Sequence, residues 1–116
     1  MKLAENKCVP CEGGTPPLGE SEVNILIKEV PLWSLRDGHL FRSFKFRNFK
    51  EAMVFVNSLA NLAEEEGHHP DICIHYNGVE VELWTHAIKG LSENDFIMAA
   101  KADNLIKNKM GSGLEF

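Results

Sequence analysis

The chain has no apolar run long enough to cross a membrane, and no hydrophobic segment of the kind that leads secretory signal peptides. Its three cysteines include one Cys-x-x-Cys pair, Cys8 and Cys11, with no second pair to complete a four-thiolate zinc site. Positive charge is also scarce: 12 basic against 17 acidic side chains give a net charge of −5, which argues against a nucleic-acid footprint. We therefore expect a cytoplasmic protein with reduced thiols that binds neither membrane nor nucleic acid.

The composition that remains suits one domain. Apolar residues make up 44% of the 116 positions and charged residues 25%, the balance of an ordinary soluble protein with a core. Residues 1–19 contain Gly13-Gly14 and Pro16-Pro17, so we expect a flexible lead-in that keeps Cys8 and Cys11 outside any site. The glycine-containing stretch 109–116 is expected to be a flexible tail. The folded domain should span residues 20–108.

A long helix is predicted from about Phe49 to Glu66. Asn48 is a favourable N-cap, and Glu51 three residues later completes a variant of the capping box. At the other end Gly67 suits a left-handed position, and Pro70 prevents the helix from continuing. Apolar residues recur at spacings of three and four and predict one buried stripe, namely Phe49, Ala52, Met53, Val56, Ala60 and Ala63.

A β-hairpin is predicted after this helix. Asn77-Gly78 is a strong signal for a two-residue turn, and it separates two alternating segments that start near Ile72 and end near Thr85. Antiparallel pairing sets the end of the second strand beside the start of the first. His86 should therefore lie close to His68 and His69.

The remaining elements complete an α+β domain. We expect a four-stranded antiparallel sheet with about three helices packed on one face. The other predicted elements are a short helix around Ser21 to Lys28, a strand near Trp33 to Leu35, a turn through Asp37-Gly38, a strand from Leu40 to Arg47, and a last helix from about Glu93 to Lys107.

The adjacent imidazoles of His68 and His69 indicate chemistry. Histidine titrates near neutral pH, so the pair favours proton transfer or metal binding. Adjacent residues in extended chain point apart, which disfavours a shared metal ion. Glu64, four residues before His68, could accept a hydrogen bond from an imidazole, whereas Glu65 and Glu66 read as a solvated acidic helix end. His39 and His75 are interpreted as ordinary surface residues.

The order and spacing of these residues resemble a known family. The pattern is Glu64, three residues, His68-His69-Pro70, five residues, Tyr76, nine residues, His86, eight residues, Asp95. It resembles the signature of the pterin-4a-carbinolamine dehydratases, also called 4a-hydroxytetrahydrobiopterin dehydratases. The likeness also takes in Phe44-Lys45-Phe46, Phe49, Thr85 and the segment from Gly90 to Phe96, and it covers roughly residues 20–107.

The resemblance implies an enzyme, a hydro-lyase that removes water from 4a-hydroxytetrahydropterin during recycling of the tetrahydrobiopterin cofactor. It implies that His68 and His86 transfer protons and that His69 binds and orients the substrate. No cofactor and no metal are expected. Glu64, Pro70, Tyr76, Trp84 and Thr85 are expected to bind substrate or support the histidines, with Tyr76 and Trp84 also open to purely structural roles. Asp95 is a candidate support residue, although a helix-capping role beside Ser92 is favoured.

The resemblance also implies partners. Besides a pterin substrate, we expect a homodimer or homotetramer and a link to an aromatic amino acid hydroxylase system. Some animal relatives act as dimerisation cofactors for a homeodomain transcription factor. The alternative function is therefore a non-catalytic protein-binding module, which would not require three convergent histidines.

Overall fold

The computed structural model describes residues 3–9 and 16–108, and it has the predicted α+β architecture. Cys11 and the tail 109–116 lie outside the described residues. The helices are α1 (Glu20–Leu26), α2 (Phe49–Glu66) and α3 (Glu93–Asn108), and the strands are β1 (Ser34–Arg36), β2 (His39–Lys45), β3 (Asp71–His75) and β4 (Gly78–Leu83). Short 3-10 helices occur at Leu3–Glu5, Ile27–Glu29 and His86–Ile88. Among these described elements, none is a helix with the length and apolar character needed to span a membrane.

The four strands form one antiparallel sheet in the order β1-β2-β4-β3. One face of the sheet contributes apolar side chains to the core, and α2 and α3 pack against it. The core residues of the two central strands are Leu40, Phe44, Val79, Val81 and Leu83, each at most 1% exposed. The opposite face carries mostly polar side chains.

Helix α2 has the predicted bounds and caps, but its buried stripe differs. Ala52, Phe55, Leu59 and Ala63 are buried, whereas Phe49 is 49% exposed. Of the predicted stripe, Ala52 and Ala63 are buried as expected, but Phe49 and Ala60 are exposed and Met53 is only partly buried. The helix instead directs Phe55 and Leu59 into the core. Burial of these two side chains removes more apolar area from water than burial of Met53 and Ala60 would remove.

The ends of α2 follow from local chemistry. Asn48 Oδ1 accepts a hydrogen bond from the backbone N–H of Glu51 at 2.9 Å, so Asn48 is the N-cap. The Glu51 carboxylate accepts from the backbone N–H of Arg47 rather than from that of Asn48, and it also pairs with the Arg47 guanidinium. Gly67 has φ 64°, the left-handed conformation expected for it, and its N–H donates to the carbonyl of Ala63.

The hairpin forms one residue earlier than predicted. His75 pairs with Gly78, so the turn residues are Tyr76 and Asn77, and Tyr76 takes a positive φ of 52°. Phe46 donates its backbone N–H to the Asn77 carbonyl, and the Asn77 amide donates to the Phe46 carbonyl, which anchors the turn. Relative to the prediction, each residue of β3 pairs with a β4 residue two positions earlier in the sequence. Because side chains alternate with period two, the apolar face predicted for each strand is retained.

The amino-terminal segment differs most from the expectation. Residues 3–9 lie against α3, and Leu3 is only 3% exposed within the core. Cys8 donates its backbone N–H to Glu66 Oε1 at 2.9 Å. Asn94 accepts from the N–H of Val9 and donates to the carbonyl of Val9, as a neighbouring strand would. The folded body therefore includes residues that precede the predicted start near Glu20.

Candidate active site

A cleft of about 670 Å³ opens where the end of α2 meets the end of β4 and the start of α3. This volume is typical of sites that bind small organic molecules. The pattern residues His68, His69 and His86 all line the cleft, so the convergence predicted from the hairpin is confirmed. The other pattern or candidate residues along its wall are Glu64, Pro70, Trp84 and Thr85, and they are joined by Cys8, Val9 and Asn94.

His68 is held by a buried carboxylate. Its Nε2 donates to Asp95 Oδ1 at 2.6 Å, and the His68 side chain is 12% exposed while that of Asp95 is fully buried. The positive φ of Gly67 turns the chain back after α2 and aims His68 inward. A carboxylate on one ring nitrogen fixes both the orientation and the tautomer of an imidazole. Nδ1 is then the His68 nitrogen that remains for a bound molecule.

Asp95 combines the two roles that were considered as alternatives. As the third residue of α3 it accepts from the backbone N–H of Ser92 through Oδ2 at 2.9 Å, which is the reciprocal half of a capping box. The same oxygen accepts from the Thr85 hydroxyl at 2.8 Å. The Ser92 hydroxyl then donates to Thr85 Oγ1, because the single proton of Thr85 is already used. Thr85 therefore helps to position His68 through Asp95.

His69 faces a different environment. Its Nε2 donates to Glu64 Oε2 at 2.5 Å, so the predicted carboxylate partner is present but serves His69 rather than His68. The His69 side chain is 62% exposed and that of Glu64 is 77% exposed. An exposed pair of this kind contributes little to folding stability. Its position at the cleft rim suits contact with a bound molecule.

His86 belongs to an aromatic stack. Its ring lies 3.8 Å from the Trp84 ring, centroid to centroid, at a tilt of 35°. The His39 ring also stacks on the Trp84 ring, nearly parallel at 4.4 Å, and donates from Nδ1 to Glu82 Oε2. The interpretation of His39 as an ordinary surface residue is therefore wrong, because it supports the Trp84 indole. Among the described residues, none forms a hydrogen bond with the His86 ring, and the residue is exposed at the cleft.

The amino-terminal segment closes one wall of the cleft. Cys8 contributes its half-buried thiol, and burial together with the nearby Glu66 carboxylate raises the pKa of that thiol to about 12. Cys8 is thus a thiol and not a thiolate at neutral pH. Glu66, predicted as a solvated helix end, instead binds the Cys8 N–H and Lys101, and its pKa is lowered by those two contacts.

One predicted site residue lies elsewhere. Tyr76 is in the hairpin turn, 65% exposed, and stacks on Phe49 at 6.5 Å between ring centroids. The cleft is at the opposite end of the hairpin, beyond Asp71, about 16 Å away for a strand of this length. The prediction that Tyr76 supports the site is therefore corrected: the antiparallel hairpin separates its turn from its open end. No periodicity in the sequence indicated the roles of Cys8, Val9 and Asn94.

Comparison with known proteins shows which family this chain belongs to. The profile of the family described as "Pterin 4 alpha carbinolamine dehydratase" matches residues 16–105. This chain belongs to that family. Relatives provisionally named pterin-4-alpha-carbinolamine dehydratase include one from Rubrobacter xylanophilus, 52% identical over 90% of this chain and 98% of its own length. Another, from Nitrosomonas eutropha, is 50% identical over 90% of this chain and 93% of its own length.

A solved structure is also similar to this member of the family. It is described as a transcriptional coactivator/pterin dehydratase from Brucella melitensis, with a TM-score of 0.74 and 37% identity. The match covers 77% of this chain and 97% of the Brucella melitensis chain. The shared fold thus extends over nearly the whole of that protein.

Proposed function

We propose that this protein is a hydro-lyase that dehydrates a 4a-hydroxytetrahydropterin to the quinonoid dihydropterin. The observation that carries the proposal is one cleft lined by three histidines, one of them bonded to a buried carboxylate. In the reaction the C4a–O bond breaks, the hydroxyl leaves as water after gaining a proton, and the N5–H proton is lost. The chemistry therefore needs one proton donor and one proton acceptor on the same substrate.

His68 and His86 are the proposed pair. His68 would exchange its proton through Nδ1, because Nε2 is engaged with Asp95. His86 is exposed and lines the cleft, so its imidazole would exchange a proton with a molecule bound there. General acid and base groups each contribute typically about 10²- to 10⁴-fold to a rate, so the pair is sufficient for a substantial acceleration.

His69 and Trp84 are the proposed binding residues. His69 lines the cleft at its exposed rim, and the Glu64 carboxylate on Nε2 restrains the orientation of its ring. The Trp84 indole is flat, half-buried and fixed by His39 on one side and by the Asp71 carboxylate at Nε1. The His39 and His86 rings already lie against the indole, so Trp84 would pack beside a planar pterin through its edge, in the edge-to-face arrangement that aromatic pairs favour.

The reaction requires neither a Lewis acid nor a redox group, and the absence of both from the mechanism remains a prediction. Among the described residues, the ring nitrogens of His68, His69 and His86 are not close enough to one another to form a cluster that could bind one metal ion. We also infer a cytoplasmic location and a place beside a hydroxylase that forms the carbinolamine. A homodimer or homotetramer remains part of the same proposal.

The proposal is tested by substitution of each histidine, with His75 as the control. His68→Ala and His86→Ala should each lower kcat by about 10²-fold or more. His69→Ala should raise KM more than it lowers kcat, because it removes binding and not proton transfer. His75→Ala, on the sheet face outside the cleft, should leave turnover unchanged. Wild-type kcat in both the His68 and the His86 variants would exclude this mechanism.

A second candidate function is binding to a protein partner, because the similar Brucella melitensis protein is described as a transcriptional coactivator as well as a pterin dehydratase. A protein-binding role alone would not need His68 to be bonded to a buried aspartate. The two functions are separated by the same variants, since a binding module should lose no partner affinity when His68 or His86 is replaced.

A further inference from the structure

We propose that Cys73, His75 and Glu80 form a binding site for a zinc-class divalent cation on the polar face of the sheet. The three side chains offer a sulfur, an imidazole nitrogen and a carboxylate oxygen, and these ligand atoms all lie within 4.8 Å of one another. None of the three residues lines the histidine cleft. The site is therefore separate from the proposed dehydratase site and does not rest on that function.

The pairing register of the hairpin brings the three ligands together. Cys73 and His75 are two residues apart on β3, so they share one face of the sheet. Glu80 on β4 is the direct partner of Cys73, and both project to that same face. The partner of His75 is Gly78, which has no side chain. The imidazole can therefore lean along the strand toward Cys73 and Glu80.

The distances fit a tetrahedral ion. With Zn–S of about 2.3 Å and Zn–N and Zn–O of about 2.1 Å, tetrahedral angles separate S from N by about 3.6 Å and N from O by about 3.4 Å. The corresponding separations here are 3.2 Å between Cys73 Sγ and His75 Nε2 and 3.5 Å between His75 Nε2 and Glu80 Oε1. Both pairs share the same nitrogen, so small side-chain movements are enough to receive the ion.

The donor set selects the class of cation. Thiolate and imidazole favour zinc and its softer neighbours, whereas magnesium and calcium require an all-oxygen set. Binding would convert the Cys73 thiol to a thiolate and release one proton to solvent. Three protein ligands leave one tetrahedral position open, which water can fill because the site faces solvent. The ion would also cross-link β3, an edge strand, to β4.

The test uses cobalt as a spectroscopic substitute for zinc on the full chain. Addition of Co²⁺ to the reduced protein should give a near-ultraviolet thiolate-to-cobalt charge-transfer band with a stoichiometry of one, and Zn²⁺ should abolish it by competition. Cys73→Ser should eliminate the band. Glu80→Gln should weaken Co²⁺ binding by at least about tenfold, since even groups that only support a ligand typically cost 10- to 100-fold.

Matched controls come from the same chain. Glu82 lies two residues after Glu80 on the same face of β4, and its carboxylate pairs with His39. Glu82→Gln should therefore leave the Co²⁺ affinity within about twofold of wild type. A Cys8→Ser, Cys11→Ser double variant should keep the band, since the proposed thiolate ligand is Cys73. Circular dichroism of each variant confirms folding. If Cys73→Ser does not fold, Glu80→Gln against Glu82→Gln still decides the question.

Three outcomes would overturn the proposal. The first is no Co²⁺ binding in the wild type at concentrations up to about a hundredfold over the protein. The second is a thiolate band that persists in Cys73→Ser and disappears in the Cys8 and Cys11 double variant, which would assign the ion to the amino-terminal pair. The third is binding without a thiolate band, which would assign it to histidines and carboxylates alone.

Discussion

Asp95→Asn tests how the fold prepares His68 for proton transfer. The side chain is fully buried and accepts from three groups, namely His68 Nε2, the Thr85 hydroxyl and the Ser92 backbone N–H. Asparagine keeps the shape but offers one oxygen and one NH₂ group. The oxygen should stay where Asp95 Oδ2 lies, because two donors meet it there.

The NH₂ group then replaces the oxygen that faces His68. An amide N–H cannot accept from Nε2–H, so the imidazole must shift its proton to Nδ1, which reverses the roles of its two nitrogens at the cleft. Loss of a charge-assisted hydrogen bond costs about 1.5 to 3 kcal/mol of folding stability. Loss of the correct tautomer should lower kcat by about 10²- to 10⁴-fold, equivalent to about 3 to 5 kcal/mol in the barrier.

The assay is steady-state dehydration over a pH series, together with thermal unfolding of the same samples. Thr85→Val is the matched variant, since it removes the hydrogen bond to Asp95 and the one from the Ser92 hydroxyl but leaves the carboxylate and the His68 tautomer intact. It should cost about 1 to 3 kcal/mol of stability and less than tenfold in kcat. The reasoning is refuted if folded Asp95→Asn protein turns over within about twofold of wild type, or if Thr85→Val loses as much activity.

Two further predictions concern the ends of α2. Gly67→Val should cost on the order of 1 to 3 kcal/mol of folding stability and misplace both following imidazoles, because φ is 64° at this position. No neighbouring atom lies within 4 Å of an added Cβ, so the cost comes from the backbone conformation and not from a steric clash. Unchanged turnover and melting temperature in that variant would contradict it. Glu66 has a pKa lowered from 4.5 by its hydrogen bonds from Cys8 and Lys101. Its contribution to stability is present above that value and is lost as the pH falls through the lowered pKa. Glu66→Gln should therefore flatten the acid branch of the stability curve below about pH 4.5, whereas the exposed Glu65→Gln should not; identical curves for both variants would refute this.

The sequence was sufficient for the parts of the fold that depend on local chemistry. The bounds of α2, its Asn48 cap and the left-handed Gly67 follow from residue type at fixed spacing, and the structure confirms them. The hairpin was predicted one residue late, because Asn-Gly favours the turn by itself while anchoring of Asn77 to Phe46 decides the register. A contact across the fold cannot be read from the turn alone.

The sequence predicted which histidines meet at the site but not which residues hold them. The three histidines converge because antiparallel pairing brings the ends of β3 and β4 together, which needs only strand lengths. The choice of partners was not predictable: Glu64 binds His69, and Asp95 binds His68 across 27 positions of sequence. Cys8 and Val9 reach the cleft only through bonds to Glu66 and Asn94, and a segment with no periodicity carries no sequence signal for such contacts.

The most direct test of the proposed function is the decay constant of a 4a-hydroxytetrahydropterin as the concentration of the wild-type protein is raised. The protein is freed of metal ions with a chelator that is removed before the assay, the substrate is generated in place by a hydroxylase, and formation of the quinonoid product is followed by its absorbance. If the protein is the proposed dehydratase, the decay constant should rise in proportion to protein concentration above the spontaneous rate. A decay constant equal to that of buffer at every protein concentration would contradict it.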